Sequence, residues 1–410
     1  MAWAGISGSE YRFKSGLRDG ADPRSSLVTD GAGNFYGTTL GGGSETCRSN
    51  PNCGTVFWIG QGPDGRYEEA VIHTFTGAPD GFYPSGNLIL DSSGNLFGTT
   101  QYGGTLGFGT VFKLAPQNDG SWTETILYSF QGGTNGYAPM YGVTFDTHGD
   151  LYGTTFGGGT CGGDFCGGTV FELVPQQDGS WEKTTAYAFA FQGESQTPGS
   201  LIFDASGNMY GNTVMGGGAG TIFQLIQNQN GSWVENVLYS FMDGLDGGYP
   251  SGVIFDGNGN LYGEALIGGS FACPGSGCGT VFRLTPGSNG QWEFSVIHTF
   301  NGLNGSRGQA PAGGLAVDSA ENLYGVTEAG GTGNCFGGGY GCGTIFKLTA
   351  GSGGEYSFGI IASFDGRHGA DPGAGVILDS AGNIYGTASE GGDLSCGAPY
   401  GCGTAFMLTP

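Results

Sequence analysis

One series of short motifs recurs seven times along the chain, and this restricts the fold more than any other feature. One copy reads DSSGNLFGTTQYGGTLGFGTVFKL (residues 91–114): a DxxGN turn, an aromatic-Gly strand, a Gly-rich loop and a GTVF strand. The opening aspartates are Asp30, Asp91, Asp146, Asp204, Asp256, Asp318 and Asp379. The glycines that open the GTVF-type strands are Gly54, Gly109, Gly168, Gly220, Gly279, Gly343 and Gly403. A period of about 50–60 residues marks a repeat array, in which each unit buries its apolar faces against its neighbours.

Each copy reads as four strands, named A to D. In the second copy these are GNLILD (86–91), NLFGTT (95–100), GTVFKL (109–114) and SWTETILYSF (121–130). Val, Ile, Phe, Tyr, Thr and Trp dominate the runs, while Gly, Asp, Asn and Pro bound them. Apolar residues fall on both parities of A, C and D, which suits strands sandwiched between neighbouring sheets. The pattern predicts an all-β fold, a seven-bladed β-propeller with four strands per blade. The stretch YRFKSGLRDGADP (11–23) matches YSFQGGTNGYAP (128–139), so the chain opens on the last strand of a repeat. The N-terminal strand is therefore expected to complete the last blade. The expected division is one propeller over 1–410: blade 1 24–75, blade 2 85–130, blade 3 140–191, blade 4 199–241, blade 5 251–300, blade 6 312–364, and blade 7 374–408 plus 3–13.

Glycine makes up 90 of 410 residues, about three times the usual share. With 38% hydrophobic residues a large core is still available, and the glycines recur in turns. The net charge is −23, which would repel a phosphate backbone or an anionic membrane surface, so no nucleic-acid partner is expected. No apolar run is long enough to span a bilayer. The opening MAWAGISGSE lacks the basic start and apolar run of a signal peptide. Ten cysteines fall in five close pairs: Cys47/Cys53, Cys161/Cys166, Cys273/Cys278, Cys335/Cys342 and Cys396/Cys402. Each pair lies in the B–C loop. The spacings are wider than zinc ligation requires, so five local disulfides are expected, and with them an extracellular, secreted or cell-surface setting. A mature form and a monomer are expected.

The recurring GNLYGTT…GG…GTVFKL pattern resembles the tandem GloVer repeat of bacterial surface and secreted proteins. That resemblance covers essentially the whole chain and implies an extracellular setting with no defined activity. The DxxGN turn is also similar to NHL-type propeller repeats, including a lyase whose chemistry rests on His and Glu around a metal. With four histidines here, that chemistry is not carried over.

Structure accounts for what repeats, so function is sought in the departures. The DxxGN turns resemble half of a calcium loop, but their recurrence in every copy favours a turn role over structural calcium, and no cofactor is expected. His73 and His298, and Trp122, Trp181, Trp233 and Trp292, recur on strand D and read as packing residues. Three carboxylates depart from the Thr-Thr consensus at the end of strand B: Glu264, Glu328 and Glu390, on adjacent blades. Strand A begins with Asn87 in blade 2 and Tyr141 in blade 3, but with Gly, Ala and Ser in blades 4–7, which predicts a channel mouth filled on one side and hollow on the other. Arg24 borders the hollow, and Arg307, Arg367 and His368 lie in D–A loops above it. This set suits a polyhydroxylated ligand. Binding of carbohydrate at the top-face loops and channel mouth is the first expectation. The alternatives are a glycoside hydrolase, or a polysaccharide lyase, with Glu328 and Glu390 as acid and base or nucleophile and Glu264 assisting, and a scaffold for another extracellular protein.

Overall fold

The DxxGN aspartates fold back on their own turns. Asp91 Oδ1 accepts the backbone N–H groups of Ser93 (2.9 Å) and Asn95 (2.8 Å), while Oδ2 accepts the Asn95 side-chain amide (2.7 Å). Asp204, Asp256, Asp318 and Asp379 repeat the arrangement. These Asx turns close each A–B connection. Burial alone would raise the Asp91 carboxyl, but the Asn95 and Ser93 bonds outweigh it and hold the group below its usual range.

The computed structural model describes residues 10–16, 19–43, 53–62, 67–162, 165–191, 196–270, 272–273, 276–288, 290–302, 308–335, 340–396 and 400–409. Seven antiparallel sheets succeed one another, each ordered A-B-C-D. Blade 4 is representative: Pro198–Phe203, Met209–Thr213, Thr221–Gln227 and Trp233–Ser240. In blade 1 the A position is split into Gly20–Pro23 and Val28–Thr29, both paired with Phe35–Gly42. Apart from one 3-10 turn at Gly133–Asn135, the described residues contain no helix, and none that could cross a membrane. The ring closes as the sequence predicts. Glu10–Arg12 pairs with Thr404–Leu408 in the register Glu10↔Phe406, Tyr11↔Ala405, Arg12↔Thr404.

Three recurring contacts explain the consensus letters. The Thr-Thr of strand B faces the Thr of GTVF across the ladder, giving buried hydroxyl pairs such as Thr100–Thr110 (2.7 Å) and Thr155–Thr169 (2.7 Å). Each Phe that ends strand D meets the Phe of the next blade's strand C edge to face. The pairs are Phe75–Phe112, Phe130–Phe171, Phe189–Phe223, Phe241–Phe282, Phe300–Phe346, Phe364–Phe406 and, across the closure, Phe13–Phe57, at 5.1–5.2 Å. Such pairs contribute roughly 0.5–1.5 kcal/mol beyond the burial itself. Finally, each GTVF glycine adopts positive φ beneath the loop proline of the next blade, for example Gly279 (φ 92°) under Pro311, and a methyl group there would overlap the proline ring. The D-strand tryptophans pack on a strand B aromatic of the preceding blade, as Trp122 does on Tyr36 and Trp292 on Tyr210.

Four of the expected disulfides are present with both partners: Cys161–Cys166, Cys273–Cys278, Cys335–Cys342 and Cys396–Cys402. The fifth expected pair, Cys47–Cys53, is described at one end. Cys53 is fully buried just before strand C of blade 1 and is itself disulfide-bonded, whereas Cys47 lies outside the described residues. No described cysteine is free. These bonds fit an oxidising environment.

Candidate functional site

Strand A lines the axis. Ser26, Asn87, Gly142, Ser200, Gly252, Gly313 and Gly375, one from each blade, surround the lower channel. Above it the channel widens into a mouth of about 1270 Å³, open solvent included. Met140 and Tyr141 fill one side, while Ser251, Ala312, Gly373 and Ala374 leave the other hollow. Asn87 also has a structural task, because its Oδ1 accepts the Ser26 N–H (2.8 Å) and ties two strand A starts together.

The structure divides the carboxylates singled out from sequence, and strand alternation explains how. Glu328 lies two residues beyond the position of Glu264 on strand B, so it shares that face but clears the packed sheet and reaches the mouth with Arg24, Asn87 and Tyr141. Glu264 is fully buried, its Oε2 accepting the Gly314 N–H at 3.1 Å and its Oε1 unpartnered beside Gly325. Burial, then the nearby Glu328 charge, hold its carboxyl well above the usual range against the opposing Gly314 and Ser251 contacts. Glu390 has the opposite parity. It lines a neighbouring pocket with Arg367, Asp365 and Tyr400, while Ser389 lines the mouth. His368 is held by Asp365, its Nδ1 2.9 Å from Oδ2. Arg307 lies outside the described residues.

Two further acids were not singled out from the sequence, Asp371 in the mouth wall and Asp22 bound to Arg24. The residue before every loop proline has positive φ, from 49° at Thr197 to 58° at Asp22 and Tyr83. In blades 7 and 1 that residue is aspartate, Asp371 and Asp22. Backbone bonds to the preceding blade fix both: Asp22 N–H to Cys402 O (3.0 Å) and Asp371 N–H to Cys342 O (3.1 Å). Asp22 pairs with Arg24 (Oδ1 to Nε, 2.7 Å), and the Ser389 hydroxyl donates to Asp371 Oδ2 (3.0 Å). Burial and then the charge of Asp371 push both Glu328 and Glu390 up to about 7, against the pull of Arg24. The signal was readable: ADP occurs in these two copies alone, where the others carry FYP, YAP, QTP, GYP and QAP. The mouth thus combines a cation, an acid titrating near neutrality, hydroxyls and a tyrosine wall. That set can hydrogen-bond and stack, and it can move a proton at Glu328.

Residues 5–163 match the family model described as the Gloeobacter/Verrucomicrobia repeat. No curated protein matches the sequence. Among solved structures, the chain resembles a 6-phosphogluconolactonase candidate from Bacteroides uniformis (14% identity, TM-score 0.52, 90% of each chain covered). It also resembles a luciferin-regenerating enzyme (13%, TM-score 0.46, covering 88% of this chain and 98% of the other). A third is a glucose dehydrogenase candidate from Thermus thermophilus (14%, TM-score 0.44, 78% and 94%). At 14% identity the first shows a shared fold alone.

Proposed function

We propose that this chain, which carries the Gloeobacter/Verrucomicrobia repeat on a seven-bladed propeller, is an extracellular binding protein for carbohydrate, held at the channel mouth. The observation that carries the reading is the one-sided mouth itself: a hollow edged by Arg24, Asp371, Glu328 and Ser389 and faced by Tyr141. Sugars offer hydroxyls to charged and hydroxyl groups and an apolar face to an aromatic ring. In a chain with only 11% charged residues, this cluster of charge is a local concentration. A glycan array probed with the labelled protein tests the reading. Binding is expected, and it weakens in Arg24→Ala and Tyr141→Ala. A silent array together with capture of an extracellular protein partner would replace it with an interaction scaffold.

A second reading, hydrolysis of a glycosidic bond at the same mouth, is favoured by the Glu328 carboxyl titrating at about 7 beside Asp371. A protonated Glu328 would donate to the leaving oxygen, and a neighbouring carboxylate would act as base or nucleophile. Release of reducing ends from a polysaccharide panel, lost in Glu328→Gln, is the expected result. Activity that survives the substitution removes Glu328 from the mechanism.

A further inference from the structure

A second set of interblade contacts lies on the outer side, at the residue two places before the terminal Phe of strand D: Tyr11, His73, Tyr128, Tyr187, Tyr239, His298 and Ala362. At several junctions this residue faces an acid, either of its own exit loop or of the next blade's strand D. Three of the four tyrosines there donate a hydroxyl to a carboxylate: Tyr11 to Asp19 (2.9 Å), Tyr187 to Glu235 (3.0 Å), Tyr239 to Asp246 (3.0 Å). Two junctions carry histidine. His298 stacks on Phe358 (centroids 4.0 Å, 6° between planes) and behaves as the packing residue its recurrence implied. His73 packs on Phe75 through its ring, but its Nε2 points at two acids: 3.5 Å from Glu124 Oε1 and 3.9 Å from Asp80 Oδ1.

We propose that His73, Asp80 and Glu124 form a binding site for one divalent transition-metal ion of the zinc class, which staples blade 1 and its exit loop to blade 2. One ligand atom from each of the three lies within 4.8 Å of the others, and no other trio of His, Cys, Asp and Glu among the described residues comes as close. The His73 Nε2 and Glu124 Oε1 atoms are buried and lack a hydrogen-bond partner, so this polar pair is unsatisfied as it stands. Their separation is too long for a hydrogen bond. It is close to the roughly 3.3 Å between two ligands bound tetrahedrally at about 2.0–2.1 Å. Asp80 is already aimed: its Oδ2 accepts the Thr76 N–H (2.8 Å) and hydroxyl (2.9 Å), and its Oδ1 accepts the Gly81 N–H (2.6 Å). Such outer partners are what orient a ligating carboxylate. One imidazole with two carboxylates suits zinc-class ions. Calcium prefers six or more oxygens and no nitrogen.

The test is titration of chelator-treated full-length protein with zinc chloride, with calcium chloride as comparator, followed by calorimetry and thermal melting. The wild type is expected to take up one equivalent of zinc with a rise in melting temperature, and no calcium. His73→Tyr restores the side chain found at other junctions, so it should fold; it is expected to lose that equivalent and the thermal shift. Glu124→Gln should lose both as well. Absence of zinc uptake by the wild type, or equal uptake by wild type and His73→Tyr, overturns the assignment.

Discussion

Glu264 is the most exacting place to test the electrostatic reading, because it sits where other blades carry Thr, Asn or Val and is fully buried. The perturbation is Glu264→Gln, which keeps the shape and removes the ionisable proton. An unfolded glutamate titrates at about 4.3. A carboxyl that keeps its proton in the fold loses stability as pH rises through the range between the unfolded and folded values. Below the unfolded value that loss is absent. From pH 5 to pH 7 this amounts to at most about 2.6 kcal/mol, from 1.36 kcal/mol per pH unit. At about 2.1 cal/mol/K per residue over 410 residues, the corresponding shift in melting temperature is about 3 °C. The assay is calorimetric melting of both proteins at pH 5 and pH 7. The melting temperature of the variant relative to wild type should increase by up to about 3 °C between the two, with a smaller difference at pH 5. An equal effect at both pH values, or a variant weakened more at pH 7, would show that Glu264 is ionised in the fold and refute the reasoning.

Gly279→Ala should destabilise by about 2–5 kcal/mol, because the positive φ costs about 1–2 kcal/mol and the clash with Pro311 about 1–3 kcal/mol; an unchanged denaturation midpoint would mean that the Gly279–Pro311 contact does not hold the blades together. Phe13→Ala empties a fully buried position against Phe57 at the ring closure and should cost about 3–5 kcal/mol, read from the same denaturation curve, with a native midpoint contradicting closure by this strand.

The blades, their strand order and the ring closure were legible because the same series of short β-rich runs bounded by turn residues recurs seven times, and the split repeat at the two ends left one partner for each half. The contacts between blades were not. Gly54 meets Pro84, and Phe75 meets Phe112. The sequence shows that each letter recurs but not which recurrence touches which. At the mouth, Glu264, Glu328 and Glu390 looked alike because they fall within a few residues of one consensus position. Depth decided the fate of Glu264, and parity that of Glu390. Asp22 and Asp371 each stand directly before a loop proline, where Asp-Pro reads as ordinary turn chemistry. His73 read as packing by recurrence, which holds for His298; the two carboxylates that distinguish it lie 7 and 51 residues away.

On this reading the channel mouth is where the propeller meets its ligand. A crystal structure of the protein with the best-binding glycan tests it most directly. Sugar density is expected over the Tyr141 ring, with hydroxyls in hydrogen-bond reach of Arg24 and of Glu328 or Asp371. Density confined to the neighbouring pocket of Glu390 and Arg367, or to the outer edges of the blades, would contradict it.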